Sequence, residues 1–226
     1  MSIVRFVCLA NSYKMGGRCL AGLRTDDGRW VRPIPNTAHG QLYYNHYQLS
    51  DGTSARVLDV IDIRLKEAKP LPHQPENWLM DEGAWELIER PATGKHLDVV
   101  RAAVTTASLL FGDRSDRIRA EIFEHTPAAV SLVLVRPTTI HWGVERNPVK
   151  GTKKARAHFS LGAIPYDLGV TDPDWSARIR KLSDGIHDIT ETGIPAGKTP
   201  LLCISLSEPT DFDQCCYKLA ATVIPD

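Results

Sequence analysis

Cys8-Leu9-Ala10-Asn11-Ser12-Tyr13-Lys14-Met15-Gly16-Gly17-Arg18-Cys19-Leu20-Ala21-Gly22-Leu23-Arg24-Thr25-Asp26-Asp27-Gly28-Arg29-Trp30-Val31-Arg32-Pro33-Ile34 decides the fold class. Two apolar runs flank a Gly-rich loop bearing Lys14 and Arg18, and an Asp27-Gly28 turn launches a third run in which Trp30 sits between Arg29 and Arg32. Residues 3–11, 18–25 and 29–34 therefore read as a three-stranded meander bounded by Gly-Gly and Asp-Asp-Gly turn signals. Cations and an aromatic ring displayed together on a sheet suit a polyanion with flat faces, because phosphates attract Arg and Lys while bases stack on a ring or a guanidinium plane. On a strand Trp30 and Arg32 point to one face and Arg29, Val31 and Pro33 to the other. Trp30 with Arg32 is thus the pair expected to line an open trough.

Working outward, residues 58–65 alternate apolar and charged side chains, the period-two mark of a half-buried strand, until Pro70, Pro72 and Pro75 end it. Residues 82–89 read as a short helix. From about Lys95 the positions Val100, Ala103, Val104, Ala107, Leu110 and Phe111 have helical spacing up to Gly112, and 115–124 adds a further turn or two. A second run of short strands follows at 130–135, 138–145, 158–163, 166–170, 201–206 and 217–224. A helix near 175–182 interrupts it, introduced by Asp172-Pro173-Asp174. Strands, then helices, then strands argue against an alternating parallel sheet and for a mainly β protein with some α: two small barrels or sheets joined by a helical segment. The expected division is 1–113 and 114–226, with a single intertwined domain as the alternative.

The chain of 226 residues is 42% hydrophobic and 24% charged, with 27 basic and 27 acidic side chains, so net charge selects no partner. Position says more: Lys14, Arg18, Arg24, Arg29 and Arg32 cluster early, and Arg146, Lys150, Lys153, Lys154 and Arg156 cluster in the middle. No apolar run approaches the roughly 18 residues of a spanning helix. No secretory leader is visible, and five cysteines, an odd number, fit a reduced, cytoplasmic setting.

Two groups of residues form the candidate nucleic-acid contacts. The first is Lys14, Arg18, Arg29, Trp30 and Arg32, joined by Tyr44 from the aromatic patch Tyr43, Tyr44, His46 and Tyr47 that follows the third strand. The second is Lys150, Lys153, Lys154 and Arg156 on a Gly/Pro-broken stretch suited to a mobile hairpin tip that grips phosphates. Gly151-Thr152-Lys153 lacks the preceding glycine and strand-to-helix setting of a phosphate-binding loop. No spacing of Cys and His supports a metal site, no nucleophile elbow is present, and Asp59 and Asp62 fall on opposite faces of one strand. No catalytic residue, metal or cofactor is therefore expected.

Cys8-Leu9-Ala10-Asn11-Ser12, Gly17-Arg18-Cys19-Leu20-Ala21-Gly22, Trp30-Val31-Arg32-Pro33, Gln74-Pro75-Glu76-Asn77, Leu110-Phe111-Gly112, the 166–172 stretch, Cys203-Ile204-Ser205-Leu206 and Tyr217-Lys218-Leu219-Ala220-Ala221 resemble the dual-OB domain family of bacterial proteins. The resemblance spans nearly the whole chain. It implies two OB-like barrels and a nucleic-acid or nucleotide role, with a place in a bacterial defence system. The expectation is a non-catalytic module for single-stranded nucleic acid or a nucleotide. The alternatives are a nucleic-acid-processing hydrolase with its site between the lobes, and a protein-interaction or sensor subunit of an effector complex.

Overall fold

The computed structural model describes residues 2–225 and comprises two compact units, one ending at Val104 and one beginning at Thr105. The first unit holds strands β1 (Ser2–Lys14), β2 (Gly17–Arg24), β3 (Trp30–Ile34), β4 (Val60–Ala68), β5 (Asn77–Met80) and β6 (Glu86–Glu89), then helix α1 (Gly94–Ala102). The order β1-β2-β3-β5-β4 returns to β1, closing a five-strand barrel in which β3 and β5 run parallel and the other neighbours antiparallel. Closure works because β1 serves two partners: Ser2 to Val7 pair with β4, while Phe6 to Lys14 pair with β2 across a bulge between Cys8 and Ala10. A Cβ at Gly22 would lie 2.0 Å from the Val7 carbonyl oxygen and 2.6 Å from the Phe6 ring, so only glycine lets β2 cross β1 there. Inside, Phe6, Leu20, Val31, Leu42, Ile61, Leu65 and Trp85 form the core, with the Phe6 and Trp85 rings edge to face at 6.1 Å.

The short helix expected at 82–89 is instead β6, which pairs with β4. Trp85, Glu86, Leu87 and Ile88 alternate buried, exposed, half-buried and exposed, and an available β4 edge outweighs local helix preference. The helix expected from Lys95 to Phe111 stops at Ala102.

The second unit's sheet runs from β7 (Val104–Thr105) at the boundary through β8 (Arg117–Arg119), β9 (Leu132–Val135), β10 (Thr139–Arg146), β11 (Lys153–Leu161), β12 (Ile164–Val170), β13 (Gly185–Asp188), β14 (Leu201–Pro209) and β15 (Cys215–Ile224). Helices α2 (Ala120–His125) and α3 (Pro173–Ile179) accompany it, so 115–124 holds a strand and then a helix. The order is β13-β10-β11-β12-β15-β14-β9-β7, with β8 on β15. Trp142, Phe159, Tyr166 and Trp175 anchor its core. Asp172 caps α3 by accepting from the Asp174, Trp175 and Val223 amides, as Asp-Pro-Asp foretold.

A buried staple explains why 106–116 is not helical. The Lys218 ammonium, wholly buried, donates to the Asp113 carboxylate at 3.1 Å and to the carbonyls of Asp113 and Ser115 at 2.8 and 2.7 Å. The Tyr166 hydroxyl accepts from the Leu110 amide at 3.0 Å and donates to the Ser108 carbonyl at 2.9 Å. Backbone groups that a helix would pair internally are spent on the sheet instead. Burial lowers the Lys218 pKa, and the Asp113 carboxylate opposes that shift.

Candidate functional site

The β1–β2 hairpin turns at Met15 and Gly16, both left-handed at φ 46° and 76°, which is the two-residue turn that matches strand twist. That turn sets Tyr13 opposite Arg18 and Lys14 opposite Gly17. The Arg18 guanidinium lies 4.5 Å from the centre of the Tyr13 ring, within cation–π range. A Cβ at Gly17 would sit 2.6 Å from the Leu42 carbonyl oxygen; its absence lets the following connection lie along the hairpin. Arg18 and Leu42 exchange both backbone hydrogen bonds, at 2.7 and 2.8 Å.

This bridge carries the aromatic patch to the hairpin. Tyr43 follows Leu42 directly, its amide donates to His46 Nδ1 at 3.1 Å, and Tyr44 meets Tyr47 edge to face at 5.8 Å. Tyr13, Tyr43 and Tyr44 are 52%, 46% and 55% exposed, so three rings are presented beside Arg18. Arg18 makes no ion pair with a carboxylate among the described residues. Of the expected contacts, Lys14 and Arg18 lie on the hairpin, and Tyr44 lies on the connection bridged to it through Leu42. Tyr13 joins the candidate patch because the turn falls at Met15-Gly16 rather than Gly16-Gly17, which sets its ring opposite Arg18.

Arg29, Trp30 and Arg32 lie elsewhere. Arg29 is held by Asp27 at 2.6 Å. Trp30 is half-buried at the start of β3, opposite Leu23. Arg32 is only 1% exposed, beside the buried Gln74, Glu76 and Asn77, and its amide donates to the Glu76 carbonyl at 2.9 Å. The expected open trough of Trp30 and Arg32 is corrected accordingly. Residues 31–34 are all buried because β3 sits between β2 and β5 and is covered on both faces, so alternation does not translate into one exposed side.

In the second unit, β10 and β11 form a hairpin whose tip is ordered rather than loose: the Asn147 side chain accepts from the Val149 and Lys150 amides at 2.9 and 2.8 Å. Arg146 grips Asp184 with two bonds of 2.7 and 3.1 Å. Lys153 donates to the Leu182 carbonyl and lies 3.8 Å from Asp184. Arg156 bonds the Asp167 side chain and carbonyl, both at 2.8 Å. Lys150 and Lys154 remain exposed without an ion pair among the described residues. The hydrogen bond from Arg146 holds the Asp184 carboxyl below its ordinary pKa.

The two carboxylates weighed as metal ligands are internally paired. Asp59 is buried against Arg90 at 2.6 Å and Asp62 pairs with Arg5 at 2.7 Å. Cys8 and Cys19 stand opposite Gly22 and Ser12, Cys203 stands opposite Thr222, and none of the five cysteines forms a disulfide among the described residues. Burial pushes the Cys216 thiol up to about 12. Among the described residues no helix is long and apolar enough to cross a membrane.

Among solved structures, a murine DNA-binding protein bound to double-stranded DNA is similar over 100% of both chains, at 10% identity and a TM-score of 0.32. The tetrameric p202 HIN2 is similar over 99% of this chain and 92% of its own, at 9% identity and a TM-score of 0.29. Scores of that size carry no argument. No curated protein matches the chain. A model of the dual OB-containing domain matches residues 4–223, from within β1 to within β15, and the chain belongs to that family.

Proposed function

We propose that the protein binds single-stranded nucleic acid through the exposed rings of Tyr13, Tyr43 and Tyr44 and the half-buried Arg18 of its first barrel, with Lys14 at the hairpin tip. The observation that carries this reading is the Arg18 guanidinium lying over an exposed tyrosine, with no carboxylate partner among the described residues. Small OB barrels bind single strands by stacking bases on such rings while cations follow the backbone. Duplex bases are stacked on one another and offer no free faces, which is why the reading specifies a single strand. Lys150 and Lys154 supply a second, weaker phosphate contact. Nothing in this geometry supports hydrolysis, an effector subunit or a defence role over simple binding.

Fluorescence anisotropy with mixed-sequence single-stranded oligonucleotides at low and moderate salt tests the proposal. Binding that weakens as salt rises and falls on Tyr44→Ala is expected; no association at either salt overturns it.

A further inference from the structure

The second unit contains an open depression of about 530 Å³ that the nucleic-acid reading does not use, lined by the 138–141 end of β10, the 188–190 turn after β13 and the loop 195–199. Its size falls in the usual range for small-molecule sites. The loop is stiffened by Pro195 and Pro200 and turns through Gly197 at φ 76°, where Lys198 donates its amide to the Pro195 carbonyl at 3.1 Å. The Lys198 side chain is exposed and has no ion pair among the described residues. Arg136 braces the same loop from behind by donating to the Thr199 carbonyl at 3.0 Å.

Opposite the lysine stand groups of different character. Strand register places Asp188, His141, His158 and Asp167 in one transverse row across β13, β10, β11 and β12, and the row's first two members line the depression. His158 lies against Gly143, where a Cβ would come within 2.2 Å of its Nε2. One oxygen of Asp188 is spent capping the turn, accepting from the Thr190 amide and hydroxyl at 2.8 and 2.6 Å. The Asp188 side chain also joins Glu191 in a capping box at this turn, and its charge faces the depression. Ile140 and Ile189 supply an apolar wall.

A lone anion would meet the Asp188 charge, and a cation would meet Lys198. A ligand that carries both an anionic group and hydroxyl donors satisfies the two together. We infer that this depression binds a phosphorylated ribose of mononucleotide size, with Lys198 on the phosphate, Asp188 accepting from sugar hydroxyls and His141 against the remaining face. The pairing follows from chemistry: ammonium groups bind phosphate as point charges, and carboxylates accept from ribose hydroxyls.

The full-length chain is titrated calorimetrically with AMP, GMP, CMP, UMP, ribose 5-phosphate, adenosine and inorganic phosphate. Mononucleotides and ribose 5-phosphate are expected to bind more tightly than adenosine or inorganic phosphate. Lys198→Ala should weaken them by roughly tenfold or more, and Asp188→Asn should narrow the advantage over inorganic phosphate. Because Asp188 also caps a turn, His141→Gln serves as the second variant and should weaken the same ligands. Tyr13→Ala should leave these affinities unchanged, which separates this site from the oligonucleotide interface. Failure of every phosphorylated ligand to bind at millimolar concentration, equal affinity for inorganic phosphate, or affinities unaltered by both Lys198→Ala and His141→Gln overturns the inference.

Discussion

Two antiparallel hairpins, one in each unit, carry the cations that the sequence brings forward, and they treat them in opposite ways. At the β1–β2 tip, Arg18 lies on an aromatic ring and has no carboxylate partner among the described residues. At the β10–β11 tip, Arg146, Lys153 and Arg156 are drawn to Asp184, the Leu182 carbonyl and Asp167. A guanidinium already paired with a carboxylate must surrender that partner before it can meet a phosphate, so equal positive charge on the two hairpins is not equal capacity to bind. Internal partners, more than the number of lysines and arginines, decide which tip faces a ligand.

The largest effect expected concerns the buried cation, Arg32. Arg32→Met removes a buried guanidinium from the polar group around Glu76 and should cost about 3 kcal/mol of stability, read by urea denaturation. Oligonucleotide affinity of the folded variant should not change. A loss of affinity without a loss of stability would return Arg32 to the binding surface and break the contrast.

Next come the rings. Tyr13→Ala and Tyr44→Ala should each weaken oligonucleotide binding by about 1 to 3 kcal/mol, the usual worth of stacking one base, with the melting temperature nearly unaltered. If Lys150→Ala weakened binding more than either tyrosine change, the second hairpin would be the principal interface.

A smaller gain is expected from releasing the tied cations. Asp184→Asn frees Arg146 and relaxes Lys153, so affinity should rise modestly and the salt dependence should steepen by about 0.7 in logarithmic slope for each phosphate newly contacted. An unchanged slope would mean that this tip never meets the strand.

The smallest effect is on pH. Since the hydrogen bond from Arg146 depresses the Asp184 pKa, this tie contributes fully above the unfolded carboxylate value of about 3.9 and is lost only as pH falls through the lower folded value. Carboxyl titration followed by NMR should place the Asp184 midpoint below 3.9; a midpoint at or above it would show the tie to be negligible in solution.

Much of the fold was legible wherever an element's own pattern matched its final surroundings. The Asp27-Gly28 turn, the alternation through Ile61, Ile63 and Leu65, and the Asp172-Pro173 start of α3 are local signals that tertiary packing left in force. The readings at 82–89 and 103–111 failed for the converse reason. Leu87 and Ile88 joined a strand because β4 had an edge to pair, and Leu110 was claimed by the Tyr166 hydroxyl. Of the candidate site, Lys14, Arg18 and Tyr44 were chosen from charge and aromaticity, whereas the pairing of Tyr13 with Arg18 depends on the turn position, which only the structure gives.

By itself the sequence determined a strand-rich chain in two parts, because turn residues and side-chain periodicity act over a few neighbours and need no partner. Only the tertiary structure decided which cations face outward. Closing β3 between β2 and β5 buried Arg32, and the backbone bridge from Arg18 to Leu42 brought Tyr43 and Tyr44 beside the hairpin. Exposure and ion pairing are set by residues distant in sequence, and no local pattern encodes them.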